Sequence, residues 1–236
     1  MIDAFVAPHV RAVLATRGGK GSYRIAHRLP FETIAANPKP VVGFSDITIL
    51  HMMLWKKCAL EGVHGALTSD AEDRLSETAA ASLHAVLMKD GSAEIAAQTA
   101  TASYELTTFG TARGPLLGGN LDMLCTAAGW ALPPFRGAVL LVESAGLGIG
   151  QLDRALTMLV RGKHLESIAG IAVGHINGTP SNPPWSAIDL IRQHLGPLEV
   201  PILGGLPIGH DMDARSVPIG RTVILDADGL KLHIQG

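Results

Sequence analysis

Residues 41–57 read VVGFSDITILHMMLWKK, and this stretch decides the fold class. Val41 to Phe44 form a short apolar run with β-branched residues, which predicts a buried strand. From Asp46 to Lys57 the apolar residues are spaced as in a helix. An acid lies in its first turn and lysines lie in its last, as the helix dipole prefers. A strand that passes directly into a helix predicts an α/β fold, and it places Ser45 at the turn between them.

The alternation of strands and helices continues on both sides of this stretch. The run at 11–16 predicts a strand that ends in the glycine-rich turn 17–21. Further predicted strands cover 137–142, 168–173, 200–203, 222–225 and 230–234, and further helices cover 31–37, 70–88, 151–161 and 185–195. A polar stretch after residue 90 marks a boundary. We therefore expect two domains, residues 1–90 and 114–236, with a linker over 91–113.

Composition excludes several classes of protein. The chain has 236 residues, of which 47% are hydrophobic, and a formal net charge of −2, so it is not a disordered chain. With 19 basic and 21 acidic residues it lacks the charge excess of a nucleic-acid or membrane-surface protein. No apolar stretch reaches the length of a membrane-spanning helix, and Cys58 and Cys125 lie in no metal-binding pattern. We expect a cytoplasmic protein without metal or cofactor, and with no nucleic-acid or membrane partner.

Three polar residues lie just past predicted strands: Ser45, Glu143 and His210. Ligands bind at the carboxyl ends of strands in open α/β sheets, so these side chains are candidates for one site. A serine nucleophile, a histidine base and an orienting carboxylate are the groups that acyl transfer requires. Taken singly, Ser45 could instead cap the following helix, and Glu143 could be a solvated acid at a strand end.

The surroundings of Ser45 suit a nucleophile. The sequence Gly43-Phe44-Ser45-Asp46-Ile47 is similar to a nucleophile elbow, although it lacks the second glycine of that motif. At the start of a helix, the main-chain N–H of Asp46 and the helix dipole can face a developing oxyanion. The elbow is therefore half matched in sequence and supported by its position.

Longer segments of the chain resemble the LD-carboxypeptidase family of serine peptidases. The resemblance covers nearly the whole chain, and the ordered set of its motifs is specific. The matching segments are Arg17-Gly18-Gly19, 37–48, 63–65, 118–121, the strand that ends at Glu143, 153–156, 201–203, Gly209-His210 and 217–220.

The resemblance implies a fold and a set of site residues. It implies a Rossmann-like first domain and a mixed α/β second domain, with the active site in the cleft between them. Ser45 is then the nucleophile, His210 the base and Glu143 the residue that orients His210. The implied oxyanion hole consists of main-chain N–H groups of Asp46, Gly18 and Gly19. Implied substrate-binding residues are Arg17, Lys20, His64 and Asn120.

The resemblance also implies an activity. The family substrate is a murein-derived tetrapeptide, from which a terminal D-alanine is released at an L,D-peptide bond during peptidoglycan recycling. A homodimer is expected. The chain has only ten residues before Arg11, where family members carry further strand and helix, so the first domain is expected to lack its amino-terminal part.

Two alternatives stay open at this point. One is hydrolysis of a peptidyl-nucleotide or acyl-nucleotide amide, as in the microcin C self-immunity branch of the family. The other is a relative that keeps the triad residues but only binds its ligand, with no catalysis.

Overall fold

The computed structural model describes residues 1–65, 76–88, 92–178 and 185–236. In these parts of the chain, strands and helices alternate as the sequence predicts. The helices are α1 (Ile2–Val6), α2 (Ser22–Ile25), α3 (Phe31–Ala36), α4 (Thr48–Cys58), α5 (Glu77–Met88), α6 (Leu121–Ala127), α7 (Ile149–Arg161) and α8 (Ala187–Leu195). The strands are β1 (Val13–Leu14), β2 (Val41–Gly43), β3 (Gly62–His64), β4 (Ala93–Ala96), β5 (Thr111–Asn120), β6 (Val139–Ala145), β7 (Gly170–Asn177), β8 (Ile202–Leu203), β9 (Val217–Ile219), β10 (Thr222–Asp226) and β11 (Lys231–Ile234).

The strands form two mixed sheets. The first has the order β1-β2-β3-β9, in which β1, β2 and β3 are parallel and β9 is antiparallel to β3. The second has the order β4-β11-β10-β5-β6-β7-β8, parallel from β5 to β8 and antiparallel from β4 to β5. The α/β class expected from the sequence is confirmed.

Helix α4 lies in the core beside both sheets. Its residues from Thr48 to Leu54 are all buried, as expected for a helix that is covered on every side. Ile49 and Met52 belong to the same apolar cluster as Leu116 of β5 and Leu140 of β6. The element that follows Ser45 is therefore held rigidly against the second sheet.

Paired glycines bring the end of β5 close to its neighbours. Gly118 and Gly119 have φ values of +128° and +139°, which L side chains rarely adopt. A β-carbon on Gly118 would lie 2.1 Å from the Leu141 carbonyl oxygen, and one on Gly119 would lie 2.6 Å from Thr48 Oγ1. With this close approach, Asn120 at the end of β5 pairs in register with Glu143 of β6.

Two features of the sheets differ from the sequence predictions. Strand β6 does not stop before Glu143 but continues to Ala145, and its register with β7 shifts between Val142 and Ser144. Glu143 therefore lies at an irregularity inside the strand. Strand β9 was not predicted, because it has three residues with a proline in the middle. Proline is tolerated there because β9 is an edge strand.

Other predicted segments are described in part. Residues 70–75 of the helix predicted at 70–88 fall outside the described residues, and the described helix is Glu77–Met88. Within the predicted linker, Ala93–Ala96 is an edge strand of the second sheet and Thr111 begins β5. The division into two domains at this segment stays a prediction. In the described residues, no helix is long and apolar enough to cross a membrane.

Candidate active site

Ser45 lies in a sharp turn between β2 and α4. It opens a single 3-10 turn, Ser45–Ile47, that runs directly into α4. Its φ is +56°, a left-handed conformation that is uncommon for a residue with a β-carbon. The residue that caps this turn is Phe44, and Ile47 precedes α4. The helix-cap interpretation of Ser45 is therefore wrong, and the strained turn presents its side chain as in a nucleophile elbow.

The glycine-rich turn predicted at 17–21 packs directly against Ser45. A β-carbon on Gly18 would lie 3.0 Å from Ser45 Cβ and 3.3 Å from Ser45 Oγ, so the Gly18 backbone borders the hydroxyl. The Asp46 carboxylate fastens this turn, because its Oδ2 accepts hydrogen bonds from the N–H groups of Gly21 (3.0 Å) and Ser22 (2.9 Å). The backbone groups assigned to an oxyanion hole thus lie on two turns tied together by one buried side chain. Their role as oxyanion donors stays a prediction.

His210 and Glu143 form a hydrogen-bonded pair. His210 Nδ1 lies 2.9 Å from Glu143 Oε2, and the Glu143 side chain is fully buried. The interpretation of Glu143 as a solvated acid is therefore wrong. Gly209 has a φ of +143°, and a β-carbon there would lie 3.4 Å from Glu143 Oε2. A glycine before the histidine thus allows the loop to pass close to the carboxylate.

The charge state of His210 depends on this pair. Burial alone lowers the pKa of His210, but the hydrogen bond to Glu143 and the negative charges of Glu143 and Asp211 outweigh burial and raise it above the ordinary value. The imidazole also packs edge-on against Phe44, with ring centroids 4.8 Å apart. Because Phe44 directly precedes Ser45, this contact joins the histidine loop to the serine turn.

Ser45 and His210 line the same cavity, whose volume is about 380 Å³. Lys20 and Asn120, both expected at the site, also lie on its wall. The described lining residues are Gly19, Lys20, Tyr23, Ser45, Asn120, Asp122, Met123, Thr126, Ala145 and His210. Five residues that the sequence singled out, Gly19, Lys20, Ser45, Asn120 and His210, therefore lie on the wall of one cavity.

Two residues expected to bind substrate do not line this cavity among the described residues. Arg17 is exposed and is absent from the described lining of the cavity. His64 is only 1% exposed and is also absent from that lining. Asn120 has a structural task as well, because its side chain accepts a hydrogen bond from Met123 N–H (3.3 Å) and caps α6.

Five wall residues were missed from the sequence, one of which is Ala145 at the end of β6. Asp122, Met123 and Thr126 lie on α6, and Tyr23 lies on α2 just after the glycine-rich turn. Asp122 and Thr126 are four residues apart and so share one helix face. That spacing, directly after Asn120, was the available indication.

A larger cavity of about 510 Å³ lies between α5 and β4. Its described lining residues include no histidine, so they offer no serine–histidine pair. Within the described ranges, no three His, Cys, Asp or Glu side chains are grouped so that they could hold a metal ion. The smaller cavity therefore combines the groups suited to acyl transfer.

Comparison with protein families matches two models to this chain. Residues 1–65 match the LD-carboxypeptidase N-terminal domain, and residues 113–225 match the LD-carboxypeptidase C-terminal domain.

Individual proteins are similar over nearly the whole chain. A Streptomyces coelicolor protein assigned as a carboxypeptidase is 34% identical over 95% of this chain and 72% of its own length. The murein tetrapeptide carboxypeptidase of Pseudomonas aeruginosa is 27% identical over 97% of this chain and 74% of its own. The crystal structure of muramoyltetrapeptide carboxypeptidase from Oxalobacter formigenes superposes with a TM-score of 0.86 at 25% identity. The superposition covers 99% of this chain and 79% of the chain from Oxalobacter formigenes.

Proposed function

This chain belongs to the LD-carboxypeptidase family, and from that premise we propose that it is a serine carboxypeptidase that releases terminal D-alanine from murein-derived tetrapeptides. The observation that carries the proposal is that Ser45 and the His210–Glu143 pair meet at one cavity. The homodimer and the cytoplasmic location expected from the resemblance belong to the same proposal.

In the first step, Ser45 Oγ attacks the carbonyl carbon of the L,D-peptide bond. The hydrogen bond from His210 Nδ1 to Glu143 leaves Nε2 as the nitrogen that takes the Ser45 proton. The carboxylate fixes this tautomer and stabilises the imidazolium that forms. His210 then gives the proton to the amine of D-alanine, and the C–N bond breaks to leave an acyl-enzyme.

In the second step, water hydrolyses the acyl-enzyme. His210 takes a proton from the water as its oxygen attacks the ester carbonyl, and then returns a proton to Ser45 as the ester bond breaks. In both steps the carbonyl oxygen becomes negatively charged. The backbone N–H groups of Asp46, Gly18 and Gly19 are the proposed donors to it, and the contact between the Gly18 backbone and Ser45 supports this assignment.

The charges on the cavity wall suit a peptide terminus. Lys20 is a cation on the wall and is the proposed partner of the D-alanine carboxylate. Asp122 is an anion on the same wall and is the proposed partner of an ammonium group of the diamino acid. Together they favour a ligand that carries both charges.

Release of free D-alanine from a murein tetrapeptide tests the proposal directly. We expect release by the intact protein and a loss of about 1,000-fold or more in kcat for Ser45→Ala, because the nucleophile is removed. Ser167→Ala is the matched control, since Ser167 is an exposed serine that also has a positive φ (+61°), and it should retain full activity. No release by the intact protein, or unchanged release by Ser45→Ala, would contradict the proposal.

One observation supports a second substrate class, a peptidyl-nucleotide or acyl-nucleotide amide. Tyr23 on the cavity wall is 42% exposed, and an exposed aromatic ring can stack against a base. The same assay with an acyl-sulfamoyl nucleotide distinguishes the two classes by their kcat/KM. Tight binding of either compound without hydrolysis would instead indicate a binding protein.

A further inference from the structure

Two buried side chains of the site, Glu143 of the catalytic pair and the nearby His64, have polar atoms without partners in the described part of the chain. Glu143 is 0% exposed, and only its Oε2 takes part in the bond to His210, while Oε1 has no partner among the described residues. His64 is 1% exposed, and neither of its ring nitrogens has a partner within the same part of the chain. Buried polar atoms are nearly always hydrogen-bonded, so the unpartnered Oε1 of Glu143 and the unpartnered ring nitrogens of His64 require an explanation.

The topology brings His64 to the junction of the two sheets. His64 ends β3, where it pairs in register with Gly43 of β2, two residues before Ser45. A β-carbon on Gly119 would lie 3.1 Å from His64 Nδ1, so the imidazole packs against the end of β5. The next residue along β5, Asn120, pairs in register with Glu143. His64 thus lies behind the serine turn, on the side of Glu143.

The charged and titratable groups around His64 determine its state. Burial lowers its pKa most strongly; the charge of Glu143 raises it, the charge of His210 lowers it, and the net change is downward. His51 on α4 also interacts with His64, and burial lowers the pKa of His51 to about 3. Asp211 acts on His210 from the adjoining loop residue. His64 is therefore a neutral imidazole, which has one N–H to donate.

We propose that His64 is a positioning residue for the catalytic pair: its neutral imidazole donates a hydrogen bond to a bridging water that donates in turn to Glu143 Oε1, and so holds the carboxylate ionised and facing His210. A fully buried carboxylate with a single hydrogen bond is costly, and a second donor removes much of that cost. This inference deepens the proposed function and rests on it, because it assigns His64 the role of holding Glu143 of the same triad in place.

The effect of removing the donor has a definite sign. The pair His210–Glu143 carries a charge of −1 when His210 is neutral, and zero after it takes up one proton. A donor to Glu143 stabilises the −1 state more than the neutral state, wherever the added proton resides. Without the donor, the pair takes up its proton at higher pH. The pKa observed at His210 should therefore rise in His64→Phe, by about one pH unit.

The test is a titration of His210 in the full-length protein by NMR of labelled histidine. We expect the midpoint to rise in His64→Phe and to stay near the wild-type value in His64→Gln, which keeps an N–H donor. His194→Phe is the matched control, because it removes a half-buried histidine that also pairs with a carboxylate, Asp153, and is not among the described residues that line the cavity, and it should leave the midpoint unchanged. His64→Leu carries the same expectation as His64→Phe if the larger ring prevents folding.

An unchanged midpoint in both apolar variants of His64, or an equal rise in His194→Phe, would overturn the inference. A parallel measurement of D-alanine release should show the acid limb of kcat/KM moving upward with the midpoint, because His210 must be neutral to accept the Ser45 proton. The NMR titration needs no turnover. A protein that released no D-alanine would contradict the proposed function, whereas the titration would still decide the role of His64.

Discussion

At Ser45, one residue combines a hydroxyl placed at a cavity with a left-handed backbone conformation that its β-carbon opposes. The turn is held by its surroundings. The Gly18 backbone borders the side chain, and Asp46 ties the next turn to it. The chain keeps a strained conformation here because the strain presents the side chain to the cavity.

A variant without a β-carbon at position 45 should therefore be more stable than one that keeps it. We expect Ser45→Gly to raise the free energy of unfolding by about 1 kcal/mol relative to Ser45→Ala, since both lack the hydroxyl and only glycine adopts a φ of +56° without cost. Urea denaturation of the two variants measures this difference. Equal stability of the two would show that the turn is not strained.

Residue identity was predictable from the sequence where chemistry restricts the choice, and much less so where geometry does. Ser45, Glu143 and His210 were singled out because a serine, an acid and a histidine after strands are unusual together, and the structure brings His210 to Glu143 and places Ser45 and His210 on one cavity. The carboxylate of Asp46 was not assigned its task, because a bond to Gly21 and Ser22 depends on how a distant turn folds back. The edge contact between Phe44 and His210 was likewise invisible before the two sheets were placed.

At the scale of elements, the glycine-rich turn at 17–21 is close to Ser45 at one of its glycines and open at another. A β-carbon on Gly18 would press on Ser45, whereas one on Gly21 would meet nothing within 4 Å. Two glycines of one turn thus differ sharply in what they tolerate. Alanine at Gly18 would change both the packing against Ser45 and the flexibility of the turn, whereas alanine at Gly21 would change the flexibility alone.

We expect Gly18→Ala to lower kcat/KM for the tetrapeptide by about 100-fold, because the added methyl group displaces Ser45 or the neighbouring backbone donors. Gly21→Ala is the control. It keeps the N–H that bonds to Asp46 and should leave kcat/KM nearly unchanged. Similar losses in both variants would indicate that turn flexibility, and not contact with Ser45, limits the activity.

Elements were predictable in proportion to the strength of their patterns. The buried strand β6 was found from its continuous apolar run, and α7 from its helical spacing, whereas β5 was not predicted, because glycines and a proline interrupt its apolar residues. The continuation of β6 beyond Glu143 was missed, because a buried acid interrupts the apolar run although the backbone stays extended. Strand β9 was missed because Val217-Pro218-Ile219 reads as a loop until β3 is known to lie beside it.

For the molecule as a whole, the buried histidines couple stability to pH. The pKa of His51 is lowered by burial from its ordinary 6.5 to about 3, so the folded protein resists protonation there. Above pH 6.5, His51 is neutral in both the folded and the unfolded protein, so its protonation takes nothing from the free energy of unfolding. As the pH falls from 6.5 towards 3, only the unfolded chain takes up the proton, and stability is lost.

The free energy of unfolding should therefore fall by about 1.4 kcal/mol per pH unit for this histidine over that range. His51→Leu should reduce the slope by this amount, and His9→Gln, at an exposed histidine, should keep it. Chemical denaturation at several pH values gives the slopes. A His51→Leu slope equal to that of the intact protein would mean that His51 is protonated in the folded state.

The position of strand β9 in the chain determines when the first sheet can finish folding during synthesis. It lies near the end of the chain, yet it completes the sheet that carries Ser45. During synthesis, where amino-terminal segments fold first, the edge of that sheet at β3 stays unpaired until β4 to β8 of the second sheet have been made and β9 has left the ribosome. The serine turn therefore leaves the ribosome early, but the sheet that carries it is completed only when β9 pairs with β3. A ribosome-bound chain that ends before Val217 should be inert towards peptides even after its serine has emerged.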